Sequence, residues 1–121
     1  MNVEIFRDYC LSKKGVTEHF PFDEITLVFK VMGKMFALCG LEHIPFAVNL
    51  KCDPDWALEL RDEYGEAIIG GFHMSKKHWN TVTPEGNISD KFFFELIDHS
   101  YDMVVKGMTK KMQEELKNLK S

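Results

Sequence analysis

ITLVFKVMGKMFALCG, residues 25–40, decides the fold. Leu27, Phe29 and Val31 alternate with Thr26, Val28 and Lys30, the period of two of a strand. Met32-Gly33-Lys34 follows as a turn signal, and Met35 to Gly40 reads as a second strand. The two strands pair as a hairpin. Both carry apolar residues on both faces, which places them centrally in a sheet.

Downstream, Pro45 opens a third predicted strand, in which Phe46, Val48 and Leu50 alternate with Ala47, Asn49 and Lys51. Asp53-Pro54 is a helix start, with Asp as cap and Pro at the first helical position. Ala57, Leu60 and Tyr64 make that helix's apolar stripe, with Trp56 beside it, and Gly65 ends it. Ile68-Ile69-Gly70-Gly71-Phe72 stays open between a strand and a bend; its glycines mark a tight bend or a close backbone approach. Trp79 to Thr83 is rich in β-formers and reads as a strand, and Pro84-Glu85-Gly86-Asn87 as a turn. Ser89 caps a long helix to about Lys106, with Phe93, Leu96, Ile97, Ser100 and Val104 inward. Gly107 breaks it, and residues 108–121 form a short helical extension capped by Thr109, thin in apolar residues and expected to fray or dock weakly.

Upstream, Asn2 caps a first helix to about Lys14, whose inward face is Val3, Phe6, Tyr9, Cys10 and Lys13, with Gly15 as its stop. Phe20-Pro21-Phe22 is an extended connection. The expected fold class is α+β: a mainly antiparallel sheet, with helices on one face, in one domain spanning residues 1–121.

The 121 residues, 45% apolar with 10 Phe, suffice for a core without disulfides or metals. Net charge is −4, which argues against nucleic-acid binding over the whole surface but leaves room for a local basic patch. There is no apolar run of membrane-spanning length and no basic-then-apolar leader, so no membrane partner is expected. Cys10, Cys39 and Cys52 are odd in number and form no CxxC, which favours reduced thiols in the cytoplasm.

Several ordered blocks then point to a family. They are Gly15-Val16-Thr17-Glu18, Phe20-Pro21-Phe22, Lys34 to Leu38, Asn49 to Pro54, His73 to Val82, and Leu96 to Val104. Between about residue 10 and residue 106 the chain resembles the MmcQ/YjbR family. The resemblance implies a fold like that of the bacterial frataxin homologue, a CyaY-like α/β sandwich with an antiparallel sheet backed by two helices. It also implies an association with DNA binding.

The segment His73 to Trp79 is the most informative for function. Lys76, Lys77 and His78 concentrate positive charge, Trp79 offers a ring for stacking or packing, and Lys51 adds reach just before the second helix. Phosphate contact uses such cations, and single-strand binding adds stacking. The candidate nucleic-acid-binding residues are therefore Lys51, His73, Lys76, Lys77, His78 and Trp79, in a binding module without catalytic activity. A solvated basic turn leading into a strand with a buried Trp has the same pattern. The alternative function is a protein-interaction or small-ligand-binding domain, favoured by the negative net charge and the acidic second helix.

No cofactor or metal site is expected. His73, His78 and Cys52 match no zinc spacing. The carboxylates of the second helix, Asp55, Glu59, Asp62, Glu63 and Glu66, read as a solvated face rather than an iron site. His99, Ser100 and Tyr101 are adjacent on a helix and point apart, so they cannot act on one atom. Cys10 and Cys39 read as small buried hydrophobes. Cys52 differs, because Lys51 and a helix start lower a thiol pKa while Asp53 opposes them.

Overall fold

The structure is a computed structural model, and it describes residues 1–85 and 87–120. Gly86, within the turn expected at 84–87, lies outside the described residues. The hairpin is as read: β2 (Thr26–Val31) and β3 (Lys34–Gly40) pair antiparallel. Met32 and Gly33 both take positive φ, 51° and 81°, the turn geometry that matches strand twist. A register shift between Phe29 and Lys30 inserts Phe36 as an extra residue, so Phe36 and Ala37 both reach the core.

Around this hairpin six strands form one antiparallel sheet in the order β1-β2-β3-β4-β6-β5. The others are β1 (Val16–His19), β4 (Val48–Lys51), β5 (Ile68–Gly70) and β6 (Trp79–Val82). Helices α1 (Val3–Leu11), α2 (Pro54–Tyr64) and α3 (Asp90–Lys106) cover one face, and α4 (Lys110–Asn118) follows. Asn2, Asp53, Ser89 and Thr109 each cap their helix by a side-chain oxygen accepting a backbone N–H.

Three boundaries differ from the sequence reading. The first helix ends at Leu11, and Gly15 turns the chain at φ +75° into β1, a strand the alternation did not signal. Three of the four β1 residues are exposed, so its period of two is not written in apolar residues. β4 begins at Val48 rather than Pro45, because pairing with β3 starts only at the Cys39–Val48 register. The open segment at 68–72 resolves into a three-residue strand, β5, followed by a bend at Gly71.

The core lies between sheet and helices. Phe29, Phe36, Phe93 and Ile97 are wholly buried in it, and Leu60 almost so. Phe6 packs edge-on against Phe29 at 5.4 Å between ring centres. α4 is docked rather than frayed: Leu116 is buried, and Gln113 Nε2 donates to the carbonyls of Val105 and Met108, each at 3.1 Å.

The Leu96–Val104 block owes its composition to architecture. Four consecutive residues of α3 each bond to a distant part of the chain. Asp98 accepts from the Tyr9 hydroxyl at 2.6 Å and pairs with Lys13. His99 Nε2 accepts from the Asp53 N–H at 3.0 Å, at the start of α2. Ser100 Oγ donates to the Phe36 carbonyl and accepts from the Lys51 N–H at 2.8 Å, joining β3 and β4. Tyr101 donates to the Lys14 carbonyl at 2.6 Å.

Candidate functional site

With the helices on one side, the other face of the sheet is helix-free. Alternation and register place Val28, Leu38, Asn49, Lys51, Trp79 and Thr81 there, opposite the core-facing Phe29, Val48, Leu50 and Val82. Val28, Leu38 and Trp79 form a thin second apolar cluster with Met35 and Met74.

Charge divides across the sheet. Lys30 and Lys51 stand on the helix-free face, and His19, paired with Val28, joins them. Of the 19 Asp and Glu residues a single one, Glu18, lies on a strand. Its register partner is the core-facing Phe29, and Arg7 of α1 holds it from the helix side with two bonds of 2.6 and 2.8 Å. That pairing keeps the Glu18 carboxyl below its ordinary pKa. The acids of α2 (Asp55, Glu59, Asp62, Glu63) and of the turn after it (Glu66) are all exposed. Among the described residues no three His, Cys, Asp or Glu side chains converge.

The residues singled out from the sequence separate in space. Lys51 and Trp79 are direct cross-strand partners on the helix-free face. The Trp79 ring is packed, with the residue 9% exposed, so it supports the surface and does not present a stacking face. Lys77 and His78 are exposed on the turn before β6. Lys76 folds back: its stem fills the space where Gly70 lacks a side chain, and its Nζ donates to the Gly71 carbonyl at 3.3 Å. Gly70 is the register partner of the helix-facing Asn80, so that stem lies away from Lys51. His73, at φ +60°, packs against Phe72 with ring centres 4.0 Å apart and the ring planes tilted by 55°.

What holds this loop in place was not visible in sequence. Arg61 reaches from α2 to donate to Asn80 Oδ1 at 2.7 Å, to the Trp79 carbonyl at 3.3 Å and to the Lys76 carbonyl. On the other face Thr81 Oγ accepts from the Phe72 N–H at 2.9 Å and donates to Asn49 Oδ1, while Asn49 Nδ2 reaches the Phe72 carbonyl at 3.4 Å. Gly71 is required by space: an added Cβ would lie 2.7 Å from Trp79 Cβ.

The fixed loop becomes one wall of a groove of about 590 Å³ over the helix-free face. Phe72, His73, Met74 and Ile69 form that wall; Phe22 and His43 stand opposite; Leu38, Asn49 and Thr81 lie on the floor. The Phe22 loop is fastened by Asp23, whose carboxylate accepts from the N–H of Ile25 and Thr26 at 2.9 and 2.6 Å and sits below its ordinary pKa for that reason. Phe22 and Phe72 are 63% and 60% exposed. These rings, not Trp79, are the aromatic surfaces available in the groove; the sequence marked their segments as an extended connection and a bend but not as a binding wall.

The opposing influences on Cys52 resolve toward an unreactive thiol. Its chain turns into the core at 3% exposure, and burial first, then Asp53, push its pKa up to about 12 against the opposing pull of Arg61. Burial raises Cys39 to about 12 as well, and Cys10 upward.

Comparison with known proteins gives a consistent result. Residues 11–103 match the sequence family YjbR. The Escherichia coli O157:H7 protein YbdF is 39% identical over 99 residues, which is 81% of this chain and 80% of that one. The E. coli K12 protein YjbR is 31% identical over 106 residues, 87% of this chain and 88% of its own. A crystal structure of a Deinococcus radiodurans protein of domain DUF419 matches with a TM-score of 0.89 at 40% identity, covering 96% of this chain and 88% of that one.

Proposed function

This chain belongs to the YjbR family, and on that footing we propose that it is a DNA-binding module, without a chemical step, that holds single-stranded DNA across the helix-free face of its sheet. One observation carries the reading. In a protein of net charge −4, that face bears Lys30, Lys51 and His19 and no strand carboxylate. Phosphate neutralisation needs such local segregation, whatever the total charge. Lys77 extends the cationic surface along one rim, beside the exposed imidazoles of His78 and His73, while Lys76 is folded back over Gly70 and Gly71. Trp79 serves as the floor beneath Met74 and Leu38. A single strand fits better than a duplex, because the sheet is broad and the exposed rings of Phe22 and Phe72 offer stacking surfaces that a paired base cannot use.

A second reading, a protein-interaction or small-ligand domain, draws support from the apolar groove and from Ile44, a neighbouring side chain left 92% exposed. The buried, unpaired thiols suit a cytoplasmic setting for either reading. Titrating the protein with single-stranded and duplex oligonucleotides across a salt series separates the two. Salt-dependent affinity that is stronger for the single strand supports DNA binding. Salt-independent behaviour, or none, favours the second reading.

A further inference from the structure

Among the described residues, the groove's lining contains no Asp, Glu, Lys or Arg. Its titratable lining groups are His43 and His73, apart from the thiol of Cys39, whose side chain packs in the core on the other face of the sheet. A ligand that sheds water there finds no partner for a formal charge, so the occupant is uncharged where it enters. The two half-exposed rings, Phe22 and Phe72, belong to loops far apart in sequence that stand across one hollow. Between them the floor is Leu38, with Met74 beside it. A flat ring entering the hollow covers apolar surface on both walls.

Polar reach within the groove is limited and neutral. His43 Nδ1 lies 2.7 Å from the Pro45 carbonyl and donates to it, which leaves Nε2 as an acceptor. Thr83 lines the hollow at the end nearest β4. Asn49 and Thr81 are largely occupied with each other and with Phe72. A hydroxyl, a ring nitrogen acceptor and part of an amide suit the edge of a heteroaromatic ring with mixed donors and acceptors. They do not suit a hydrocarbon tail, which would leave them unpaired.

We propose that this groove is a nucleobase pocket: it takes one unstacked, uncharged heteroaromatic base, presented either by a free nucleoside or by a single strand. Where the base comes from a strand the proposal rests on the DNA reading, since Lys51, the neighbour of Asn49 two residues along β4 on the same face, then lies where the adjoining phosphate runs. A free nucleoside would be held by the groove's shape and neutrality alone.

The experiment has four probes: a ten-nucleotide thymidine strand, an abasic deoxyribose-phosphate strand of equal length, free thymidine and free adenosine. Trp79 packs against groove-lining Met74 and Leu38 and supplies a fluorescence readout. The expected result is that the base-bearing strand binds about tenfold or more tighter than the abasic strand at equal salt slope, in line with stacking of one base. F72A removes that difference and leaves the slope unchanged, with an unaltered circular dichroism spectrum as its folding control. K51A lowers the slope and keeps the difference.

Equal affinity for the two strands overturns the pocket while leaving the charged face standing. If neither strand binds, the DNA reading fails, and the nucleosides decide the groove: saturable quenching that F72A abolishes supports the pocket, and no response overturns it. Saturation by an apolar peptide, with no response to any base, overturns it as well and makes the groove a protein-docking site.

Discussion

His99 shows how much one residue's environment decides. Its Nε2 accepts from the Asp53 N–H, and its ring meets Trp56 edge-on at 4.5 Å between centres. Burial lowers its pKa, and Lys106 adds to that, against the raising influence of Asp53 and Asp102. In the unfolded chain the ring takes up a proton below about pH 6.5, whereas the fold keeps it neutral for longer. The unfolded state therefore binds more protons in mild acid. The stability tied to neutral His99 is complete above about pH 6.5 and is lost as pH falls from there through the lower folded value. Melting temperatures from pH 8 to pH 5 are expected to drop more for the wild type than for His99→Gln. Parallel curves would remove His99 from the pH response.

Trp79 and Arg61 carry two further expectations. Trp79→Ala empties the second apolar cluster and is expected to cost about 3 kcal/mol or more. Phe72→Ala, at an exposed position, should stay within about 0.5 kcal/mol in urea titration. Equal costs for both would contradict the assignment of Trp79 to the floor and Phe72 to the wall. Arg61→Ala leaves Oδ1 of the buried Asn80 without its donor and is expected to cost about 1–3 kcal/mol. Hydrogen exchange should then rise selectively at the loop amides of Met74, His78 and Trp79, whose bonds to Gly71 and Ser75 close the loop. Uniform exchange across the chain would show that Arg61 does not hold this loop.

Among the elements, those legible in sequence were those with a continuous apolar run or a visible cap. β2 and β3 are apolar runs buried on both faces and joined by a Gly turn, and α1, α2, α3 and α4 each begin at a side-chain cap that the sequence displays. β1 was not legible because an edge strand with exposed Thr17, Glu18 and His19 has no apolar period to read. β5 was open because three residues ending in glycine are too few to show one. The candidate site was legible only in part. Lys51 and Trp79 fall together because register joins β4 to β6, but the folding-back of Lys76 depends on the space above Gly70, which a residue list does not convey. The groove joins residues 22, 43 and 72, three loops whose proximity only the strand order creates.

The α4 element gives its own test. Gly15 sits at φ +75°, and a Cβ there would meet Leu116 Cδ1 at 2.5 Å. Gly15→Ala combines a left-handed backbone penalty of about 1 kcal/mol or more with displacement of Leu116. Limited proteolysis is expected to cut the Gly15→Ala variant after Gly107 sooner than the wild type. Unchanged cleavage would mean that α4 docks without the Leu116 contact.

At the scale of the whole molecule, the strands carry Lys30, Lys51 and His19 on the open face and their single carboxylate, Glu18, on the helix side, and the proposed consequence is single-stranded DNA binding on the open face. The most direct measurement is the salt dependence of oligothymidine binding by the wild type and by the double variant Lys30→Ala/Lys51→Ala. Each phosphate contact on a single strand contributes about 0.7 to the slope of log affinity against log salt, so removing two should flatten it by about 1.4. The flattening is expected with an unchanged melting temperature. A wild type that shows no affinity near 50 mM salt, where weak electrostatic binding is visible, or a double variant with an undiminished slope, would contradict it.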